Sequence, residues 1–154
     1  MGIVIYAPVP AVLLRSALET CKGEGRVAFG TNAQQLFEEI DNEFGPGLPV
    51  IILPTVHYGD PEGFGKVSFG ATYIGYEKAT DKGVHKNPTV RPSAVFNPKD
   101  LDTPWLGFWE VKDLHQLAGR VAPDTLTARG KKTHLPKTFV PHGPLLVKAP
   151  SSFA

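Results

Sequence analysis

Cysteine is almost absent: Cys21 is the only one in 154 residues. That excludes an internal disulfide and a Cys-rich zinc site, and it fits a reducing compartment. Cys21 itself lies in an apolar helical pattern, where a buried thiol is the ordinary state. No apolar run approaches the length of a transmembrane helix, and the N-terminus lacks the basic flank and long apolar core of a signal peptide. A cytoplasmic protein with no membrane partner is therefore expected. Net charge is only +1, so no global field draws nucleic acid to the chain. The five histidines, His57, His85, His115, His134 and His142, show no metal-binding spacing. Gly63-Phe64-Gly65 is followed by no helix and no Lys-Ser/Thr, so it is not a phosphate loop. His57, Asp60 and Ser68 have no spacing that supports a catalytic trio. The sequence carries no catalytic signature. No chemistry of its own, no metal and no cofactor are expected.

What is present is a soluble-type composition, 42% hydrophobic and 20% charged, in a length that suits one domain with its own core. Gly and Pro make up about a fifth of the chain, which means many turns and few long helices. Charge is unevenly spread. Residues 1–60 hold three Lys/Arg against seven Asp/Glu, whereas residues 120–154 hold six against one, Asp124. A basic end can contact phosphate, although a solvated tail has the same composition.

The central stretch is Pro49 to Ala79. A short apolar run, Pro49 to Pro54, leads through a Gly/Asp/Pro loop into a second run, Phe64 to Glu77. This reads as two paired strands. Gly65, Gly70 and Gly75 punctuate the second run at intervals of five residues, and glycine within a strand marks a bend or bulge. A long strand bent in this way is how a small sheet curls into a barrel.

Before it, Ile3-Val4-Ile5-Tyr6 reads as a buried strand ended by Pro8 and Pro10. Ala11, Leu13, Leu14, Ala17, Leu18 and Cys21 follow at helical spacing, stopped by Gly23 and Gly25. Arg26 to Phe29 reads as a second short strand. Thr31 and Gln34 form a capping-box pattern opening a helix whose apolar face is Ala33, Leu36, Phe37 and Ile40. After it, residues 80–103 are polar and without periodicity, longer than most loops of compact domains. Pro104 to Val111 reads as an aromatic-rich strand, and Asp113 to Leu117 as a short helical turn. The rest holds two short apolar runs, Phe139-Val140 and Leu145 to Val147, and the basic cluster Arg129-Gly130-Lys131-Lys132. The expected class is α+β: a mixed sheet closed into a small curved barrel with two early helices packed on it.

Four segments in this order resemble the PUA-like superfamily, nearest to its YTH and EVE branches of modified-base readers. They are Ile3 to Tyr6 with Leu14-Arg15-Ser16-Ala17; Gly25 to Asn32; the hairpin Pro49 to Tyr76 with Phe69-Gly70-Ala71; and Trp109 to Leu114. The resemblance covers about three quarters of the chain and implies a PUA-like domain over residues 1–118. Residues 119–154 are then a basic, Pro-containing extension packed on or flanking it. Two positions depart from the pattern. The second short strand offers Phe29 where the family's cage has tryptophan, and Ala7-Pro8 stands where Lys-Ser or Ser-Glu follows the first strand. The Gly-x-Lys-x-x-Glu signature of the related ASCH branch is missing.

The function implied is a reader that inserts a modified, for example methylated, base of DNA or RNA into an aromatic pocket. Base flipping into such a pocket needs aromatic walls and a few polar groups for the base edge. Phe29, Tyr58, Phe64 and Trp105 are candidate walls and rim, with Thr31 and Asn32 for the edge. Lys66, Arg91, Lys99, Arg129, Lys131 and Lys132 are candidate phosphate contacts. The partner implied is nucleic acid, foremost DNA with a modified base. A fused or associated nuclease or motor subunit would follow if the chain is the recognition module of a modification-dependent restriction system. Two other readings remain open at this level. One is a protein or enzyme for a small ligand or nucleoside on the same barrel. The other is an interaction module whose aromatics, Phe29, Phe69 and Trp109 among them, are all core.

Overall fold

A computed structural model of the chain describes residues 2–55, 67–92, 105–137, 139 and 141–149. Strand β1 (Gly2–Pro10) runs into helix α1 (Ala11–Glu24), then β2 (Val27–Thr31), α2 (Gln34–Glu43), β3 (Pro49–Thr55), β4 (Phe69–Lys78), β5 (Gly107–Gln116), β6 (Thr127–Ala128) and β7 (Leu145–Ala149). The fold is α+β, and the described residues form one mixed sheet of seven strands ordered β2-β5-β4-β3-β1-β7-β6. Only β1 and β3 are parallel. The α1-β2-α2 excursion between them supplies the crossover that a parallel pair requires.

Burial explains the apolar runs. Ile5, Ala7 and Val9 of β1 and Val50 and Ile52 of β3 join the main core with Phe69, Ala71 and Tyr73 of β4 and the helical residues Leu14, Ala17, Phe37 and Ile40. The alternate residues Val4, Tyr6, Ile51 and Leu53 face the other way, into a second core with Leu126, Val147 and Ala149. β1 and β3 are thus covered on both faces, which is why they lack polar alternation. The C-terminal residues that cover the second face are integral to the fold. β7 lies antiparallel to β1, with Val4 opposite Val147. Phe37 lies at the centre of the main core, its ring 5.7 Å from Tyr73, 5.8 Å from Tyr76 and 5.9 Å from Trp109.

The central hairpin forms with Pro49 opposite Thr72 and Ile52 opposite Phe69. Gly70 and Gly75 stand at the two places where β4 slips register against β5, so these glycines do mark bulges. Gly65 lies outside the described residues.

Several local expectations are corrected. β1 continues through Pro8 to Pro10. Along β1, β7 reaches only Gly2–Tyr6, so beyond Tyr6 that side of β1 is an edge, where a residue without an N–H is tolerated. Pro10 is the N-cap of α1, which ends at the left-handed Gly25 (φ 82°), whose N–H donates to the Cys21 carbonyl. The capping box is not formed. Thr31 Oγ1 accepts the Ala33 N–H at 3.0 Å, Gln34 turns its amide to Glu38, and α2 begins at Gln34. Asp113 opens no helical turn. It sits at φ 55° in a bulge, two β5 residues opposite one of β4 between the Lys112–Thr72 and His115–Gly70 pairs. Aspartate tolerates that conformation, and β5 runs on to Gln116. Ser68 is fully buried, its Oγ accepting the Val121 N–H; it ties down the turn after β5.

The expected closure into a barrel does not occur. The sheet curls: in a flat sheet β1 and β2 would stand four strand spacings, about 19 Å, apart, yet their C-terminal ends line one pocket. No ladder joins them. The free side of β1 carries Pro8 and Pro10, which have no N–H to give. On β2 the Ala28 carbonyl is taken by Arg91 Nη1 at 2.7 Å.

Candidate functional site

The pocket at this seam has a volume of about 490 Å³. Pro8 and Pro10 of β1 form one side, and Gly30 and Thr31 of β2 with Asn32 and Ala33 the other. Trp105 and Trp109 supply aromatic surface, and His142, Gly143 and Pro144 close it just ahead of β7. None of these residues carries a fixed charge, and His142 is the one titratable side chain among them.

Trp105 is positioned by its neighbours. Its backbone N–H donates to the Gly83 carbonyl at 3.0 Å, and the next N–H, of Leu106, donates to Asn32 Oδ1 at 3.1 Å. Its indole lies flat against Gly30. A Cβ built there would stand 2.5–2.7 Å from three ring atoms, well inside ordinary contact distance. Only glycine admits the ring. The Trp105 indole N–H is buried and meets no acceptor among the described residues.

Of the residues expected at a base pocket, Thr31, Asn32 and Trp105 come together here. Phe29 does not. It is 4% exposed and packs in the main core, 4.9 Å from Trp109. Strand alternation is the reason: Val27 and Phe29 face the helices, while Ala28 and Gly30 face the outer side with Phe108 and Trp105. Tyr58, Phe64, Lys66 and Lys99 lie outside the described residues. Trp109, also a core residue, forms part of the pocket wall.

The expected phosphate contacts divide. Arg91 is committed to structure: besides bonding the Ala28 carbonyl, its guanidinium lies 4.9 Å over the Phe108 ring. Burial pushes that guanidinium below its ordinary pKa. Arg129 makes a bidentate pair with Glu43 at the end of α2, with Nη1 at 2.8 Å from Oε2, and lies over Phe44. Hydrogen bonding to Arg129 holds the Glu43 carboxyl below its ordinary range. Lys131 and Lys132 are exposed on the turn that follows β6.

Pro8, Pro10, Gly30 and the His142–Pro144 wall were not legible beforehand. Their role depends on the curl that brings three distant segments together, and no local pattern announces that.

A second polar cluster lies under β5. Glu110, 6% exposed, is held between Arg26 Nη1 at 3.0 Å and His85 Nε2 at 2.9 Å. The Asn87 N–H donates to His85 Nδ1 at 2.9 Å, so Nε2 carries the proton and donates to Glu110. Both ring nitrogens are occupied and the imidazole packs edge-on against Phe108. The cluster fixes the loop before the Pro88–Val90 turn and leaves no nitrogen free for proton transfer. Among the described residues, no group of three or more His, Cys, Asp or Glu is placed to hold a metal ion. The chain matches no protein-family model, no curated protein and no solved structure.

Proposed function

We propose that the chain is a nucleic-acid reader that takes one base, splayed out of its strand, into the pocket beside Trp105. The observation that carries this reading is the indole laid against Gly30 in a pocket of about 490 Å³ with no fixed charge among its described lining residues. A planar neutral ring stacks on such a surface with about 1–3 kcal/mol per base. Lys131 and Lys132 supply exposed positive charge for the flanking phosphates. Their turn is tied to β7 by the Arg129 N–H donating to the Leu146 carbonyl, immediately after the His142–Pro144 wall. In this reading the curled sheet is a PUA-like barrel left open between β1 and β2, and the opening is the base pocket. The base is a modified one, and a nuclease or motor in an associated subunit acts on the nucleic acid that the reader marks.

The test is a titration with oligonucleotides carrying N6-methyladenine, 5-methylcytosine or no modification. Trp105→Ala weakens binding of the preferred oligonucleotide by about 1–3 kcal/mol, some 5- to 150-fold, with the melting transition retained. Absence of any preference at modest salt, or unfolding of Trp105→Ala, overturns the reading. Turnover of a free nucleoside by the protein would replace it with an enzymatic one.

A further inference from the structure

The polar atoms around the pocket define which edge of a base it accepts. The Leu106 N–H, 3.1 Å from the Asn32 side chain, requires an acceptor, so the amide oxygen is the atom turned toward it. The NH2 group is then directed away, and it has no acceptor among the described residues. Thr31 shows the same bias. Its Oγ1 accepts the Ala33 N–H at 3.0 Å, which leaves the hydroxyl hydrogen to donate. The Trp105 indole N–H beside them has no acceptor among the described residues and is itself buried. Donors outnumber free acceptors on these side chains, and none of the lining residues has a fixed charge. Asn32 is exposed, so its NH2 is open to solvent in the free protein. A ligand that covers these donors without accepting from them leaves them unpaired, which is costly, so a ligand that supplies acceptors is favoured over one that presents a further donor.

Resting on the reading of this pocket as a base site, we propose that it selects an acceptor edge and that the Asn32 amide NH2 is the group that reads it. The ligand class is a neutral heteroaromatic ring with a carbonyl oxygen beside an unprotonated ring nitrogen. Cytosine and 5-methylcytosine have that pair at O2 and N3. The adenine edge instead sets the N6–H donor beside N1, and N6-methyladenine retains that donor. The clamp on Leu106 makes Asn32 a specificity residue held by the loop that also carries Trp105. Base recognition and aromatic stacking are therefore set by one local arrangement.

Asn32→Asp isolates the claim. A carboxylate oxygen still accepts the Leu106 N–H, so the loop is kept, while the NH2 donor is replaced by an acceptor. The probes are single-stranded oligonucleotides with one central cytosine, 5-methylcytosine, adenine or N6-methyladenine. The expected result is tightest binding of 5-methylcytosine, at least tenfold over either adenine, with the cytosine probe reporting what the methyl group adds. Asn32→Asp loses at least tenfold affinity for 5-methylcytosine with an unchanged melting temperature. The loss persists when salt is raised from 50 to 200 mM, because a lost donor is insensitive to screening whereas repulsion from phosphate is not. In the unsubstituted protein the Asn32 NH2 resonances shift on titration, a readout independent of how the variant folds. Preference for N6-methyladenine overturns this inference. So does unchanged affinity, or a loss that salt abolishes, in Asn32→Asp while Trp105→Ala still weakens binding. In those cases the pocket still takes a base. Absence of binding to every probe overturns the base-site reading and this inference with it.

Discussion

Gly30→Ala tests the link between backbone and pocket with a single methyl group. The new Cβ would stand 2.5, 2.6 and 2.7 Å from Cε2, Cδ2 and Nε1 of Trp105. Carbon contacts are comfortable at about 3.5–4.0 Å, so the ring has to retreat by about 1 Å or swing out of the pocket. Gly30 does not occupy the left-handed region, and its backbone accepts alanine. Replacing glycine in a strand recovers about 0.5–1 kcal/mol of unfolded-state entropy. Displacing the indole costs about 1–3 kcal/mol, so the net effect on stability runs from about zero to a loss of about 2.5 kcal/mol. The effect on binding is larger in kind, since the stacking surface itself moves: about 1–3 kcal/mol, a 5- to 150-fold weaker complex. The assay is tryptophan emission followed during an oligonucleotide titration. The chain has two tryptophans, and Trp109 is 2% exposed, so Trp105→Phe records the Trp109 background. The expected outcome is a red-shifted Trp105 contribution in Gly30→Ala, with weakened binding and a retained fold. Unchanged emission and unchanged affinity would refute the claim that Gly30 exists to seat the indole.

Arg91→Met keeps the aliphatic stem and removes the guanidinium that bonds the Ala28 carbonyl and covers Phe108. A loss of roughly 2–3 kcal/mol in denaturant unfolding is expected. A variant of unaltered stability with a reduced salt slope of binding would return Arg91 to the role of phosphate contact. Glu43→Gln separates the two possible roles of Arg129: if the pair anchors the turn after β6, binding weakens, and if Arg129 serves phosphate, releasing it strengthens binding. The same pair gives a pH dependence. The Glu43 pKa is depressed in the fold by Arg129, so its stabilisation is complete above the unfolded value of about 4.3 and is lost as pH falls through the lower folded value. Thermal melts of the unsubstituted protein and Glu43→Gln should differ at neutral pH and converge below that point; a constant gap would contradict the pair's role. Tyr73, fully buried, donates its hydroxyl to Asp41 Oδ1 at 2.7 Å. Burial, then this bond, raises its pKa. Tyr73→Phe should cost about 1–2 kcal/mol in chemical denaturation, and no change would place that bond outside the energetics of the fold.

Local chemistry was readable wherever one segment determines its own state. The helix over Leu14, Ala17 and Cys21, the α2 face of Phe37 and Ile40, and the hairpin of Ile52 against Phe69 follow from periodicity and turn residues. Strand ends were misread where a residue's usual effect is cancelled by its neighbours. Pro8 ends no strand, because β1 has already lost its β7 partner there. Asp113 begins no turn, because a bulge absorbs it. The pocket was half legible. Thr31, Asn32 and Trp105 carry polar and aromatic chemistry that a sequence displays, whereas Phe29, a candidate wall by composition, lies on the core face of β2. Pro8, Pro10 and His142 reach the site only through the curl of the sheet. The open seam between β1 and β2 has no signature beyond two prolines whose missing N–H groups prevent pairing.

The central claim is that the seam pocket takes a base against Trp105. The most direct measurement follows the Trp105 indole N–H resonance while single-stranded oligonucleotides bearing methylated or unmodified cytosine and adenine are added. The account predicts a saturable shift of that resonance for one base type, accompanied by shifts at Asn32 and His142 and abolished in Trp105→Ala. A Trp105 resonance that stays in place while binding occurs elsewhere on the surface would contradict it.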